Sequence, residues 1–346
     1  MATNNQPVDK NGYFESVHIL RGISALLVLF HHNFGWYALP VIDSVLNLFG
    51  NLGHLGVTIF FVISGFVLPL SLKKGYDLID FPVFLAKRFV RIEPTYLLSL
   101  ALALGLLLFK TRIAPNGEPY PFEFRQLFAH FLYLIPFTNY DWYNEVYWTL
   151  AIEFQFYLII ALVYPLWRKG FVASITVAIV FSALYFLSDA VPQIKLFSKA
   201  PCFSAGMLCL TALNSETELK KYIALSLAIS MAAIFGLLES NLGSAICIGG
   251  APAVIVFWKP PKLKFRFLGT ISYSLYVTHY PIVFLTNQVA RHFLGSEAHP
   301  VLYLVGLGNI LLTIGFAALV YRYIEMPTQK LSKRLSYSGE TKLARF

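Results

Sequence analysis

The chain has 346 residues, of which 57% are hydrophobic and 13% charged, and its mean hydropathy is +0.63. Soluble domains carry about 25% charged residues, so this composition excludes an ordinary soluble protein and indicates a membrane protein. The formal net charge of +9 does not require nucleic acid, because basic loops that stay in the cytoplasm beside anionic lipids explain it. We expect membrane lipids as partners and no nucleic acid.

Apolar segments long enough to cross a bilayer as helices recur along the chain. A hydrocarbon core about 30 Å thick takes roughly 20 apolar helical residues. The sequence therefore predicts an all-α, polytopic protein with about ten spans. They lie near residues 18–38, 54–72, 94–110, 146–167, 171–188, 199–213, 221–238, 241–258, 268–290 and 300–321.

No Ser, Gly or Pro linker divides the chain, so we expect one transmembrane domain over residues 1–346, with tails at 1–15 and 328–346 and no appended soluble domain. With the N-terminus inside, 21 of the 27 Lys and Arg residues fall on the cytoplasmic side. This bias predicts that both termini are cytoplasmic. Residues 111–145 join two outer helix ends and contain the short apolar run LFAHFLYLIPF, which predicts a re-entrant or extracytoplasmic helical segment.

Two polar side chains mark the first span. Arg21 and His32 are eleven residues apart, which is roughly 1,100° of helical rotation, within about 20° of three full turns. Both therefore share one helix face, about 16 Å apart along the axis, while His31 points about 100° away. Ionisable residues inside a membrane are functional candidates, although Arg21 could be a snorkelling anchor and His32 a hydrogen-bonded structural residue.

A second basic group precedes the third span, in FLAKRFVRIEP. Arg88 and Arg91 lie at i and i+3 and share a helix face. Guanidinium groups bind phosphate in a forked geometry, so the pair suits a phosphate-rich ligand. Anchoring to the cytoplasmic side is the alternative, and Glu93 could be their ion-pair partner.

Two later spans also carry polar residues. Glu153 lies in the apolar helix VYWTLAIEFQFYLI, near Trp148, and is either paired with an Arg or His of another helix or kept neutral by its apolar surroundings. Either state could orient an imidazole or shuttle a proton, and a purely structural ion pair is the alternative. Ser272, Tyr276 and His279 follow at i, i+4 and i+7 on one helix face, and they form either a hydrogen-bonding seam or the wall of an active site. In the second span, Ser64 and Gly65 favour close helix packing.

Taken in order, these stretches resemble the membrane-bound acyltransferase 3 family. The motifs that carry the resemblance are Arg21 and His32 with ten residues between them, GVTIFFVISGF, KRFVRIEPTY, WTLAIEFQFY, APCFSAGM, LGTISYSLYVTHYPI, and YIEMP, where Met326 replaces an arginine. Together they extend from about Phe14 to Pro327.

The resemblance implies a bacterial inner-membrane O-acyltransferase that moves an acyl group, most commonly acetyl, from cytoplasmic acyl-CoA to a hydroxyl of a carbohydrate or lipid-linked glycan. It implies no metal. We expect Arg21, Arg88 and Arg91 to bind the coenzyme. The expected catalytic residue is His32, as base or transient acyl acceptor, with Glu153 or His279 orienting it. The expected substrate contacts are Trp148, Tyr276 and Ser272.

A transporter or flippase is the alternative function. It would also carry buried charges around a cavity, but no internal repeat with paired broken helices is found in the sequence. The oligomeric state and the identity of the acceptor do not follow from the sequence.

Overall fold

The computed structural model describes residues 15–34, 52–73, 75–113, 122–239, 241–260, 266–294 and 301–337. Within these ranges the chain is helical and contains no strand, which confirms the all-α fold class. The α-helices of the described ranges, numbered in chain order, are α1 (Glu15–Phe34), α2 (Leu52–Ser71), α3 (Phe81–Ile113), α4 (Phe124–Phe131), α5 (Tyr147–Trp167), α6 (Phe171–Ala183), α7 (Ala200–Leu213), α8 (Glu218–Glu239), α9 (Leu242–Phe257), α10 (Arg266–Thr270), α11 (Ser272–Leu294), α12 (Val301–Val320) and α13 (Met326–Ser332).

Five described helical stretches are long and apolar enough to cross a membrane by length and composition, and three shorter apolar helices accompany them. The long stretches are Gly53–Ser71, Leu78–Phe109, Tyr147–Trp167, Glu218–Glu239 and Leu304–Ser332. Large apolar side chains cover the outside of the bundle, among them Val172, Phe186 and Leu311, as a protein surrounded by lipid requires. The chain is thus a multi-pass membrane protein, while the count of ten spans and the side of the termini stay predictions.

Helices α1 and α11 have 20 and 23 residues but are not among the five apolar stretches. The polar residues of these two helices lower their mean hydropathy. Among them are residues that the sequence singles out, namely Arg21 and His32 on α1 and Ser272 and His279 on α11. The two helices pack against each other. Their polar residues are therefore turned toward a neighbouring helix.

Several predicted boundaries need correction. The third span was expected at 94–110, but α3 runs unbroken over 33 residues from Phe81, so the basic loop before it is helical. The span expected at 268–290 is interrupted at Ile271 between α10 and α11. The last span continues beyond α12 through one π-helical turn, Tyr321–Glu325, into α13. Residues 35–38 of the first predicted span lie outside the described residues.

The segment 111–145 folds partly as predicted. After α3 ends, the described part from residue 122 onward forms the eight-residue helix α4 and one 3-10 turn, Ile135–Phe137. Buried His130 holds the segment together: its Nδ1 lies 2.9 Å from the Gln126 carbonyl oxygen, and Tyr143 N–H donates to its Nε2 at 3.0 Å. Tyr96 of α3 donates to the His130 carbonyl at 3.1 Å, which anchors the segment to the bundle.

The crossing of α2 and α7 lies at the centre of the bundle and depends on two glycines. A Cβ atom on Gly65 would collide with the Phe203 backbone, and one on Gly206 would collide with the backbone of Val62 and Phe66. This confirms that Gly65 serves close helix packing. Of the three cysteines, Cys202 and Cys209 are buried in this core, whereas Cys247 is exposed.

Candidate active site

Six of the nine residues expected to bind the coenzyme, contact the substrate or act in catalysis line one cavity between α1, α2, α3, α5 and α11, here called the arginine cavity. They are Arg21, Arg88, Arg91, Glu153, Ser272 and Tyr276. The space between the lining atoms, the open mouth included, is about 890 Å³. Phe60, Phe61, Val67 and Leu68 of α2 form much of the apolar wall.

Arg21 points into this cavity. Its Nε donates to Ser272 Oγ at 3.3 Å, and its charge interacts with those of Arg91, Glu325 and Glu153. A snorkelling anchor would turn its guanidinium toward the membrane surface. The orientation toward charged groups of other helices instead fits the functional interpretation.

Arg88 and Arg91 share a face of α3, as their spacing predicts. Arg88 donates to Ser71 Oγ, and its guanidinium lies over the rings of Phe84 and Tyr157 at 5.3 and 5.8 Å from their centroids. Among the described residues, no side-chain hydrogen bond involves the Arg91 guanidinium. Its donors are therefore available to a ligand.

The carboxylates near these arginines have separate partners. Ser64 donates to Glu153 Oε1 at 3.3 Å, so Ser64 is part of the cavity lining besides standing at a close helix crossing. Glu93, the suggested partner of Arg88 and Arg91, instead accepts a hydrogen bond from Tyr133 at 2.9 Å. It lines a smaller pocket beside the arginine cavity.

Glu325 is a cavity residue that was not singled out for a role in the sequence, although it lies in the YIEMP motif. Ser274 of α11 donates its backbone N–H at 3.1 Å and its hydroxyl at 2.6 Å to Glu325 Oε2, and Gln329 donates to Oε1 at 2.8 Å. Glu325 is the last residue of the π-helical turn. Such turns are often found at functional sites, and here it brings a carboxylate beside Arg21 and Arg91.

A second cavity, here called the vestibule, adjoins the arginine cavity at the predicted cytoplasmic end. The two share Arg21, Val67, Arg91 and Glu325. The vestibule extends to His18, Leu70 and Gln329. The space between its lining atoms, the open mouth included, is about 1040 Å³. A ligand could thus extend from this end of the bundle to the arginines.

The two remaining catalytic candidates, His32 and His279, do not line the arginine cavity but lie beside each other. Their ring centroids are 5.3 Å apart, and Tyr280 contacts His32 edge-on at 5.2 Å. His31 lies against Gly53 of α2, as the helical rotation predicts. Of the two residues expected to orient His32, only His279 is adjacent to it, because Glu153 is in the arginine cavity.

Tyr276 connects the two groups. It lines the arginine cavity, its hydroxyl is 2.7 Å from Thr149 Oγ1, and its ring centroid is 6.0 Å from that of His279. Phe60 contacts it edge-on at 5.5 Å. Trp148 is not part of the cavity lining; it packs edge-on against Phe61 at 6.3 Å, so the cavity does not account for its expected substrate contact.

The site thus combines an arginine-lined cavity with a histidine pair behind one tyrosine, in which His279 is buried and His32 partly buried. The sequence matches the family described as "Acyltransferase domain" over residues 14–322. The chain belongs to the acyltransferase 3 family. This membership confirms the family that its motifs indicate.

Relatives of this acyltransferase 3 chain are named as O-acetyltransferases. This chain is 27% identical over 333 residues to "O-acetyltransferase OatA" of Staphylococcus aureus, and the match covers 80% of this chain and 53% of that protein. It is 26% identical over 370 residues to "Putative peptidoglycan O-acetyltransferase YrhL" of Bacillus subtilis, covering 91% and 55%. It is 24% identical over 382 residues to "Peptidoglycan O-acetyltransferase OatA" of Listeria monocytogenes, covering 92% and 56%. The chain therefore spans about half the length of these relatives, and no solved structure gives a significant match.

Proposed function

We propose that this protein is an O-acyltransferase of the bacterial inner membrane, which transfers an acetyl group from cytoplasmic acetyl-CoA to a hydroxyl of a carbohydrate. The observation that carries this proposal is the convergence of Arg21, Arg88 and Arg91 on one cavity that borders a histidine pair. Family membership and the names of the relatives support the class of reaction.

The arginine cavity would bind the phosphates of the donor. Arginine fits phosphate oxygens with directional hydrogen bonds, and Arg91 has donors available. The vestibule would admit the nucleotide end of acetyl-CoA, and the thioester end would extend past Ser272 and Tyr276. No metal is needed for this arrangement.

The His32–His279 pair would supply the base for the acceptor hydroxyl. General-base catalysis by a positioned imidazole contributes typically 10²–10⁴-fold in rate, and the burial of His279 strengthens electrostatic interactions around its ring. Glu153 would act within the arginine cavity, where it lies near the arginines and Ser64, and not on His32.

The acceptor is a glycan of the cell envelope. A peptidoglycan-like sugar is the first to test, because the names of two relatives contain the word peptidoglycan.

Mass spectrometry of envelope glycans from cells with and without this protein tests the proposal. The protein should add one acetyl ester per modified sugar, and purified protein should release free CoA from acetyl-CoA only when the glycan is present. His32→Ala and Arg21→Ala variants that insert normally should lose this activity. Unchanged glycans, together with transport of a solute without consumption of acetyl-CoA, would contradict the proposal in favour of a transporter.

A further inference from the structure

The proton positions on His279 follow from its hydrogen bond to the main chain. Its Nδ1 lies 2.7 Å from the carbonyl oxygen of Tyr276. A carbonyl oxygen can only accept a hydrogen bond, so Nδ1 carries the proton. In the neutral ring Nε2 then holds a lone pair and is a proton acceptor.

The helix around His279 is built to hold this geometry. Pro281 has no N–H, so the Val277 carbonyl four residues earlier loses its helical partner. Ser99 of α3 replaces that partner by donating its hydroxyl to the Val277 carbonyl at 2.6 Å, and Tyr147 of α5 lies 2.8 Å from the same Ser99 oxygen. Two neighbouring helices therefore fix the backbone from which His279 projects.

His279 Nε2 is buried and has no hydrogen-bond partner among the described residues, and the side chain is 1% exposed. A buried acceptor without a partner is costly and calls for an explanation, of which a catalytic role is one. His32 differs, because no hydrogen bond to either of its ring nitrogens is found within the described part of the chain. Its tautomer is not fixed by a neighbour.

Building on the proposed O-acetyl transfer, we infer that His279 is the general base of the reaction, with its tautomer fixed by the Tyr276 carbonyl and its Nε2 left free for the acceptor hydroxyl. His32 is then the positioning residue beside it. This reverses the roles expected from the sequence, where His32 is the base and Glu153 or His279 orients it. Tyr276 stands between the two groups: it lines the arginine cavity, and its ring centroid lies 6.0 Å from that of His279.

The transfer needs no reactant besides acetyl-CoA and the acceptor hydroxyl. The acceptor hydroxyl gives its proton to His279 Nε2 while its oxygen forms a C–O bond with the thioester carbonyl carbon. The C–S bond breaks, and the coenzyme leaves as a thiolate. The thiolate takes the proton back from Nε2, which yields CoA, the acetyl ester and neutral His279.

Two substitutions separate the two nitrogens of His279. In His279→Asn the side-chain amide can still donate to the Tyr276 carbonyl, but nothing occupies the Nε2 position. In His279→Gln an amide reaches the Nε2 position but cannot accept a proton, and the Nδ1 donor is lost. Both variants are to be purified as full chains in lipid nanodiscs and compared with the wild type for acetyl-CoA binding and for acetyl transfer to the glycan from pH 5 to 9.

Both variants should bind acetyl-CoA as the wild type does and lose transfer by about 100-fold or more. Transfer by His279→Asn at a rate near that of the wild type would overturn the inference, because it would show that only the hydrogen bond to Tyr276 matters. A wild type that transfers no acetyl group from acetyl-CoA would instead overturn the proposed function, and the inference with it.

A measurement on the wild type reads the tautomer directly and requires no activity of the variants. Nitrogen-15 NMR of histidine-labelled protein distinguishes protonated from unprotonated ring nitrogens, and the His279 signals are those missing from His279→Asn. We expect a protonated Nδ1 and an unprotonated Nε2 at neutral pH. A proton on Nε2 would overturn the inference.

Discussion

At the scale of single residues, the arginine cavity has an excess of positive charge. Three guanidinium groups, Arg21, Arg88 and Arg91, face two carboxylates, Glu153 and Glu325, within the described lining. A charge inside a membrane protein must be offset by a partner or a ligand. The excess therefore favours an anionic ligand, which the Arg91 guanidinium can bind without giving up a side-chain hydrogen bond to the described residues.

Replacement of Arg91 should weaken donor binding more than it affects later steps. We expect Arg91→Ala to weaken acetyl-CoA binding by roughly 10–100-fold, because a hydrogen bond to a charged group contributes about 1.5–3 kcal/mol. Arg91→Lys should recover part of this, since lysine keeps the charge but not the forked geometry. Calorimetric titration with acetyl-CoA measures the effect.

The control for Arg91 is Arg168→Ala, which removes the same charge from an exposed turn outside both cavities. It should leave the affinity for acetyl-CoA unchanged. Equal affinities of Arg91→Ala and Arg168→Ala would mean that the arginine cavity does not bind the donor phosphates.

The sequence predicted some of these residue positions because a regular helix fixes them. Arg21 contacts Ser272, and His32 contacts His279, so the shared face of Arg21 and His32 is confirmed. The helix face of Glu325 could not be predicted from regular helical spacing, because Glu325 ends a π-helical turn in which the rotation per residue differs from that of an α-helix. The adjacency of His32 to His279 rather than to Glu153 depends on how helices pack, which periodicity within one helix does not reveal.

At the scale of helices, the α2–α7 crossing should tolerate no side chain at Gly206. A Cβ there would meet the backbone of α2, which cannot move as a flexible side chain can. We expect Gly206→Ala to lower stability by about 1–3 kcal/mol and to reduce activity, because α2 carries Ser64 and the apolar wall of the cavity. Thermal unfolding in detergent, followed by intrinsic fluorescence, measures the loss.

Gly105→Ala in α3 is the matched control. A Cβ at Gly105 meets nothing within 4 Å, and alanine favours the helix by up to about 1 kcal/mol. This variant should be as stable as the wild type or more so. If both alanine variants melted at the same temperature, the close crossing would not be important for stability.

Three buried asparagines join α1, α11 and α12 next to the histidine pair. Asn33 donates to the Gly306 carbonyl at 2.9 Å, and Asn309 Nδ2 lies 3.1 Å from Asn33 Oδ1 and 3.0 Å from Asn287 Oδ1. Asn309→Ala would leave both of these acceptors without that donor, so we expect a loss of about 1–3 kcal/mol. Since His32 precedes Asn33, transfer activity should fall as well.

Thr313→Val, one turn further along α12, provides the comparison for Asn309. The Thr313 hydroxyl is buried and has no hydrogen-bond partner within the described residues, so valine removes an unsatisfied group at nearly constant shape. Its melting temperature should equal or exceed that of the wild type. A loss as large as that of Asn309→Ala would show that burial, and not the amide network, determines the effect.

Helices themselves were predictable to a large extent because apolar length alone indicates them. The long stretches Gly53–Ser71, Tyr147–Trp167 and Glu218–Glu239 match predicted spans closely. The helical start of α3 at Phe81 was missed because Lys87, Arg88 and Arg91 make that stretch polar. Arg88 and Arg91 line the arginine cavity, and Lys87 Nζ lies 3.9 Å from the centroid of the Tyr337 ring, so tertiary contacts and not local hydropathy explain the helix there.

At the scale of the whole molecule, the bundle reverses the usual distribution of polar groups. Apolar side chains such as Phe186 and Leu311 are exposed, while arginines, carboxylates and histidines gather inside. In a bilayer this arrangement leaves the polar interior as the path for an ionic substrate, since lipid offers it no solvation. The vestibule opens this path toward the end that carries His18 and Gln329.

The direction of that path can be tested through two exposed lysines at opposite ends of the bundle. Lys169 follows α5, Lys195 precedes α7, and both are exposed; the bias of basic residues predicts Lys169 in the cytoplasm and Lys195 outside. In a background without Cys202, Cys209 and Cys247, Lys195→Cys should react with a membrane-impermeant maleimide on intact spheroplasts, and Lys169→Cys only after lysis. The opposite pattern would place the vestibule outside, where no acetyl-CoA is available, and would contradict its use as the donor entrance.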